Sequence, residues 1–175
     1  TSDVIKSIND SHGRFSDLLK RNVQIYGVNT GFGKLSQVSI DTKDQKQLQL
    51  NLIRSHAAGI GKPRDFGFVR IILFLQLLTY AKGVSGIRQA VADQIIEFIN
   101  HDILPVIPRR GSVGASGDLA QMAHMALALI GEGEVHFQDR IIPSMLALNE
   151  IGLEPLKLYP KEGVSLINGT QVSTA

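Results

Sequence analysis

Residues Phe66 to Ala81 constrain the fold more than any other part of the chain, because a helix built from them is apolar around most of its circumference. Their length is below the roughly 20 residues that a bilayer-spanning helix needs, and Arg70 and Gln76 interrupt the run. The segment therefore reads as a buried core helix. Such a helix requires neighbours on every side, so the surrounding chain must supply several packing elements.

The remaining sequence is suited to that. A chain of 175 residues falls in the size range of one domain, and 43% hydrophobic against 19% charged residues excludes a disordered segment or polar linker. Eighteen Lys and Arg against sixteen Asp and Glu are too balanced and too dispersed for an electrostatic grip on nucleic acid. With no Cys there are no disulfides and no thiolate metal sites, and a reducing cytosol is the expected compartment. Thr1 to Asp10 lacks the apolar run of a secretory leader, so neither export nor a membrane location is expected.

The 17 glycines cluster between helical patterns. Thr42 followed by Gln45 has the form of a capping box, and Leu48, Leu52 and Ile53 continue at helical spacing towards Gly59. Ile87, Val91, Ile95 and Ile99 predict a second amphipathic helix that ends before the Leu104 to Pro108 segment. Asp118 to Ile130 predicts a third, with Gly131 as its stop. Only Glu134 to Ile142 alternates as strands do, with a hairpin turn at Gln138-Asp139. The predicted class is mainly α, with glycine-rich loops and no internal repeat. The chain stops in mid-pattern at Gln171 to Ala175 and reads as part of a longer one.

Several familiar motifs fail on inspection. Gly31-Phe-Gly33-Lys-Leu-Ser36 starts like a dinucleotide fingerprint, but Ser36 stands where the third glycine belongs and no strand leads into it. Pro63 after Gly61-Lys62 leaves no hydroxyl for a phosphate loop. In Gly114-Ala-Ser116-Gly-Asp118, Asp118 occupies the last glycine position of a nucleophile elbow, which argues against a serine hydrolase. His56 and His124 belong to no metal-binding spacing, so no metal is expected.

The tripeptide Ala115-Ser116-Gly117 retains chemical meaning. In a tightly bent loop, the amide nitrogen of Gly117 attacks the carbonyl carbon of Ala115 and closes a five-membered ring. Two dehydrations then convert Ser116 into an exocyclic methylidene. Glycine offers an unhindered nitrogen, serine a hydroxyl to eliminate, and alanine little bulk under compression. A helix start at Asp118 would favour negative charge developing in the ring. Taken alone, Ala-Ser-Gly is also an ordinary loop sequence.

Four segments together go further. Tyr26-Gly-Val-Asn-Thr-Gly-Phe-Gly33, Ser55-His-Ala-Ala-Gly59, Ala115-Ser-Gly-Asp-Leu-Ala120 and Leu166-Ile-Asn-Gly-Thr-Gln171 occur in this order, and the chain resembles the aromatic amino acid ammonia-lyase family. The resemblance implies the N-terminal part of a helical ammonia-lyase fold over residues 1–175, with a tyrosine loop at 26–33 and a cofactor loop at 111–118. The C-terminal helical remainder is expected to lie outside this chain. It also implies a 4-methylidene-imidazol-5-one cofactor formed from Ala115, Ser116 and Gly117, a homotetramer in the intact protein, and sites assembled from several subunits. Gln121 departs from the family, which usually has proline there; the change removes no reacting atom.

By the same resemblance, Tyr26 matches the base that removes the substrate β-proton. An ordinary tyrosine ionises near pH 10, so that role calls for donated hydrogen bonds or positive potential around its oxygen. Asn168 matches an asparagine beside the cofactor, a helix N-cap being the alternative. Asp118 is expected to orient the loop and cap the helix after it, and His56 to select the substrate. An imidazole at 56 favours members acting on L-histidine, with trans-urocanate and ammonia as products. The alternatives are a phenylalanine or tyrosine ammonia-lyase, an aminomutase, or a non-catalytic paralogue or accessory subunit of the same fold. His124 reads as a satisfied core histidine, and Arg109 and Arg110 as surface charges.

Overall fold

The computed structural model describes residues 1–21, 23–111 and 117–175, so Ala115 and Ser116 of the cofactor tripeptide lie outside the described residues. Helix α1 (Ser2–Lys20) precedes α2 (Gln45–His56), α3 (Phe66–Ala81) and α4 (Gln89–Asn100). Helix α5 (Leu119–Leu129) is followed by α6 (Ser144–Ile151) and two short helices, α7 (Glu162–Ile167) and α8 (Gln171–Thr174). Strands β1 (Ile60–Pro63) and β3 (Pro108–Arg110) form one antiparallel pair. A second sheet runs β2 (Leu104–Pro105), β4 (Glu134–Phe137), β5 (Arg140–Pro143), with β4 central.

Helix α3 spans the predicted residues. The Asp65 side chain accepts the Phe68 N–H at 2.9 Å and caps its start. Val69, Ile72, Leu73, Gln76 and Tyr80 face the core, where Gln76 Nε2 and Tyr80 Oη both donate to the Ser165 carbonyl at 3.1 Å. Arg70 turns outward to Asp102, with Nη2 to Oδ1 at 2.6 Å. The described residues do not enclose this helix on all sides: Ile71, Phe74 and Leu78 point outward, Phe74 being 57% exposed. At sixteen residues it is short of a span, and among the described residues no helix is long and apolar enough to cross a membrane.

Helix α5 ends as its glycine foretells. Gly131 takes φ +81° and donates to the Ala128 carbonyl at 3.0 Å, while Glu132 N–H reaches Leu127 O at 3.0 Å, the two bonds of a Schellman stop. The hairpin also turns where predicted, with positive φ at Gln138 and Asp139. The capping box at Thr42 does not form. Helix α2 begins at Gln45 after Asp44, with no side-chain cap, because a turn closed by Asp44 N–H to Asp41 O at 2.9 Å leaves Thr42 ahead of the first helical turn.

Helix α1, the longest, was not foreseen. Only Ile8, Ser11 and Phe15 of it are buried, and this narrow stripe is easily mistaken for strand-like alternation near the start. It packs on the turn before α4, where Ser11 Oγ accepts the Gly86 N–H at 3.0 Å. That turn is tied to the start of α7 by Arg88, whose Nε and Nη2 each donate to the buried Glu162 carboxylate at 2.8 Å. The core lies between α3, α4 and α5, where Ile72, Leu73, Ile95, Phe98, Met122 and Met125 are all fully buried. Phe98→Ala should lower stability by about 3–5 kcal/mol in denaturant unfolding. Phe74→Ser on the outer face should change it by less than about 0.5 kcal/mol and reduce binding of a hydrophobic dye.

Candidate active site

The tyrosine loop is built by local polar contacts. Asn29 Oδ1 accepts the Ile25 N–H at 2.7 Å, and Thr30 Oγ1 accepts the Gly27 N–H at 3.1 Å. These bonds close a turn that holds Tyr26 at its outer edge, 59% exposed. The Tyr26 hydroxyl oxygen accepts the Gly33 N–H at 3.1 Å, and its ring meets Phe32 edge-on at 5.7 Å.

The loop is joined to the rest of the site by Gln49, which the sequence reading overlooked. Its side chain is fully buried on α2; Nε2 donates to the Gly27 carbonyl at 2.8 Å and Oε1 accepts the Val164 N–H at 3.1 Å. One amide thus spans α2, the tyrosine loop and α7. The available signal was a polar residue on the buried face at helical spacing, Gln45, Gln49, Leu52 and Ile53.

His56 is the last residue of α2, and its Nδ1 lies 2.8 Å from the Leu52 carbonyl. A carbonyl only accepts, so Nδ1 carries the proton of the neutral ring and Nε2 is left as an acceptor. Tyr26, Phe32, Leu52, His56, Leu119, Ile167 and Asn168 line one cavity of about 340 Å³, within the size range of a small-molecule site. Tyr26, His56 and Asn168, chosen from separate segments of sequence, therefore converge on one space.

Gly117 and Asp118 pack beside Asn168 and Gly169. A Cβ at position 117 would come within 2.8 Å of Leu119 Cδ1, 3.2 Å of Asn168 Oδ1 and 3.3 Å of Gly169 O, so a side chain there would require these neighbours to shift. Asp118 N–H donates to the Gly169 carbonyl at 2.7 Å. The expected cap of α5 by Asp118 is not made; its buried carboxylate turns away to accept the Ser173 N–H at 2.8 Å and the Ser173 hydroxyl at 2.7 Å. Nor is Asn168 an N-cap, since it occupies the C-terminal cap position of α7. Arg109 and Arg110 are exposed. Among the described residues no group of three His, Asp or Glu gathers for a metal ion.

Comparison with known proteins identifies the family and the fold. The family model for aromatic amino acid lyase matches residues 1–175, and the chain belongs to that family. It is 48% identical over 173 residues to a histidine ammonia-lyase of Geobacillus thermodenitrificans, covering 99% of this chain and 34% of that protein. Its fold is similar to a tyrosine aminomutase of Streptomyces globisporus, with TM-score 0.92 at 38% identity over 99% of this chain and 32% of that one. A histidine ammonia-lyase structure from Trypanosoma cruzi gives TM-score 0.88 at 33% identity over 98% of this chain and 33% of that one. The chain spans about a third of the length of the curated relatives it matches.

Behind the cavity, His124 of α5 accepts the Gly59 N–H on Nε2 at 3.1 Å and so holds the segment that follows His56. Burial lowers its tendency to protonate below that of an ordinary imidazole. The unfolded chain takes up that proton near pH 6.5 and the folded chain only at lower pH, so this contribution to stability is complete above about 6.5 and declines on acidification. The melting temperature should therefore fall between about pH 7 and 5.5. His124→Gln, which keeps an acceptor, should flatten the fall, leaving the part due to His136, which burial shifts in the same direction.

Proposed function

We propose that these residues are the N-terminal part of a longer chain that eliminates ammonia from L-histidine to give trans-urocanate. The observation that carries this reading is the convergence of Tyr26, His56 and Asn168 on one cavity, with Asn168 packed against Gly117. The likeness to proteins named histidine ammonia-lyase supports the choice of substrate.

The reading includes a methylidene-imidazolone made from Ala115, Ser116 and Gly117. The described neighbours fit it: the backbone at 117 is approached closely by Leu119, Gly169 O and the Asn168 side-chain oxygen, and Asp118 is tied down on both its main-chain and carboxylate sides. Asn168 and Asp118 would hold the group, which supplies an electrophilic carbon that makes the substrate amine a better leaving group.

The chain's own residues supply the rest. Tyr26 takes the β-proton on its hydroxyl oxygen, where the Gly33 N–H remains a donor to the phenolate form. His56 Nε2 accepts the imidazole N–H of histidine, a contact that a phenylalanine ring does not offer. Leu52, Leu119 and Ile167 provide the apolar wall against which the ring lies. The intact protein is proposed to be a cytoplasmic homotetramer in which other subunits and the remaining chain complete each site.

In the longer chain, intact mass should show a deficit of two waters, and Ser116→Ala should abolish both the deficit and urocanate formation. Tyr26→Phe should keep the deficit and lower kcat at least about 100-fold. Ser116→Ala turning over histidine would overturn the cofactor reading, and a fast Tyr26→Phe would remove Tyr26 as the base.

Selectivity gives a separate test. His56→Leu should lower kcat/KM for histidine about 5- to 150-fold, the equivalent of about 1–3 kcal/mol, with little loss on phenylalanine. Equal losses on the two substrates would make His56 a structural residue and reopen the phenylalanine, tyrosine and aminomutase alternatives.

A further inference from the structure

Ser173 lies 55 residues beyond Asp118 in sequence, yet its main-chain N–H and its hydroxyl occupy both oxygens of that carboxylate, at 2.8 Å to Oδ2 and 2.7 Å to Oδ1. Asp118 is 1% exposed, so water does not replace either donor if it is lost. The main chain beside it is held as closely: Asp118 N–H donates to Gly169 O at 2.7 Å, and Gly117 lies close to the Leu119 side chain, the Asn168 side-chain oxygen and Gly169 O. These contacts locate residues 117 and 118, and among the described residues the Ser173 hydroxyl is the side-chain donor to the Asp118 carboxylate.

We propose that Ser173 is a positioning residue for cyclisation of the tripeptide, acting through Asp118. This rests on the function proposed above. In that chemistry the Gly117 nitrogen bonds to the Ala115 carbonyl carbon. The Ala115 oxygen departs as water with the amide hydrogens of Gly117 and Ser116, and Ser116 loses its hydroxyl with its α-hydrogen as the second water. No oxidant or co-reactant is needed. What the step does need is a nitrogen held towards the carbonyl carbon, and small errors in that direction slow a ring closure steeply. With the Ser173 hydroxyl removed, Oδ1 is a buried carboxylate oxygen with no donor among the described residues; the carboxylate rotates to find one, and the adjoining Gly117 nitrogen loses its direction. Among the described residues the hydroxyl donates to Asp118, so once the ring has closed it has little further effect on turnover.

The test follows the two-water mass deficit with time after synthesis of the longer chain, with folded protein isolated by size exclusion. Ser173→Ala should slow accrual of the deficit at least about 10-fold, and Ser173→Thr, which keeps the hydroxyl, should restore it. Ser173→Cys keeps volume and main-chain N–H but donates weakly, so it should behave like the alanine variant while remaining folded. In molecules that have completed cyclisation, separated by mass-resolved active-site titration, kcat should lie within about 3-fold of wild type; a general loss of structure would lower it along with the deficit. Accrual at the wild-type rate in both Ala and Cys variants overturns the inference and leaves the proposed function intact. A wild-type chain without the deficit overturns the cofactor reading, and this inference with it.

Discussion

The side-chain amide of Gln49 is the contact on which the site's geometry depends. It is completely buried, donates to Gly27 beside Tyr26, and accepts from Val164 on the helix that leads to Asn168. Losing either bond would leave a buried polar group unpaired, at a cost of about 1–3 kcal/mol. More important than the energy is the restriction. An amide has a donor end and an acceptor end, so it can bridge a carbonyl and an N–H in only one sense. The tyrosine loop, whose own contacts are mostly local, acquires a definite relation to α2 and α7 through this one group.

Much of the fold was legible because local chemistry and burial agree. Phe66 to Ala81 could form only a helix, and Asp65, Gly131 and the Gln138-Asp139 turn mark ends with groups that act on the adjacent backbone. The failures fall where distant contacts decide. Thr42 has the form of a cap but stands before the helical turn it would serve, and Asp118 bonds to Ser173 in preference to the helix that follows it. Helix α1 has too narrow a buried stripe to declare itself by periodicity.

The site was legible in another way. No spacing rule joins Tyr26, His56 and Asn168; they were chosen because their surrounding motifs resemble a family, and they meet at one cavity. Gln49 and Ser173 belonged to no quoted motif. Their importance arises from a carbonyl, an N–H and a carboxylate that folding brings to them from more than 20 residues away. Composition and pattern carry no record of such partners.

The site's supporting side chains pair largely with peptide groups. Gln49 bonds to Gly27 O and Val164 N–H, His124 to Gly59 N–H, and Tyr26 to Gly33 N–H. A peptide carbonyl is present whatever residue occupies the position, and a peptide N–H whatever residue other than proline, so neither changes to suit a new partner. In evolutionary terms, these contacts leave no trace as paired substitutions. A change at 49 or 124 has no second-site exchange at the other end of its bond to restore it, so each of those positions is answerable to the backbone alone.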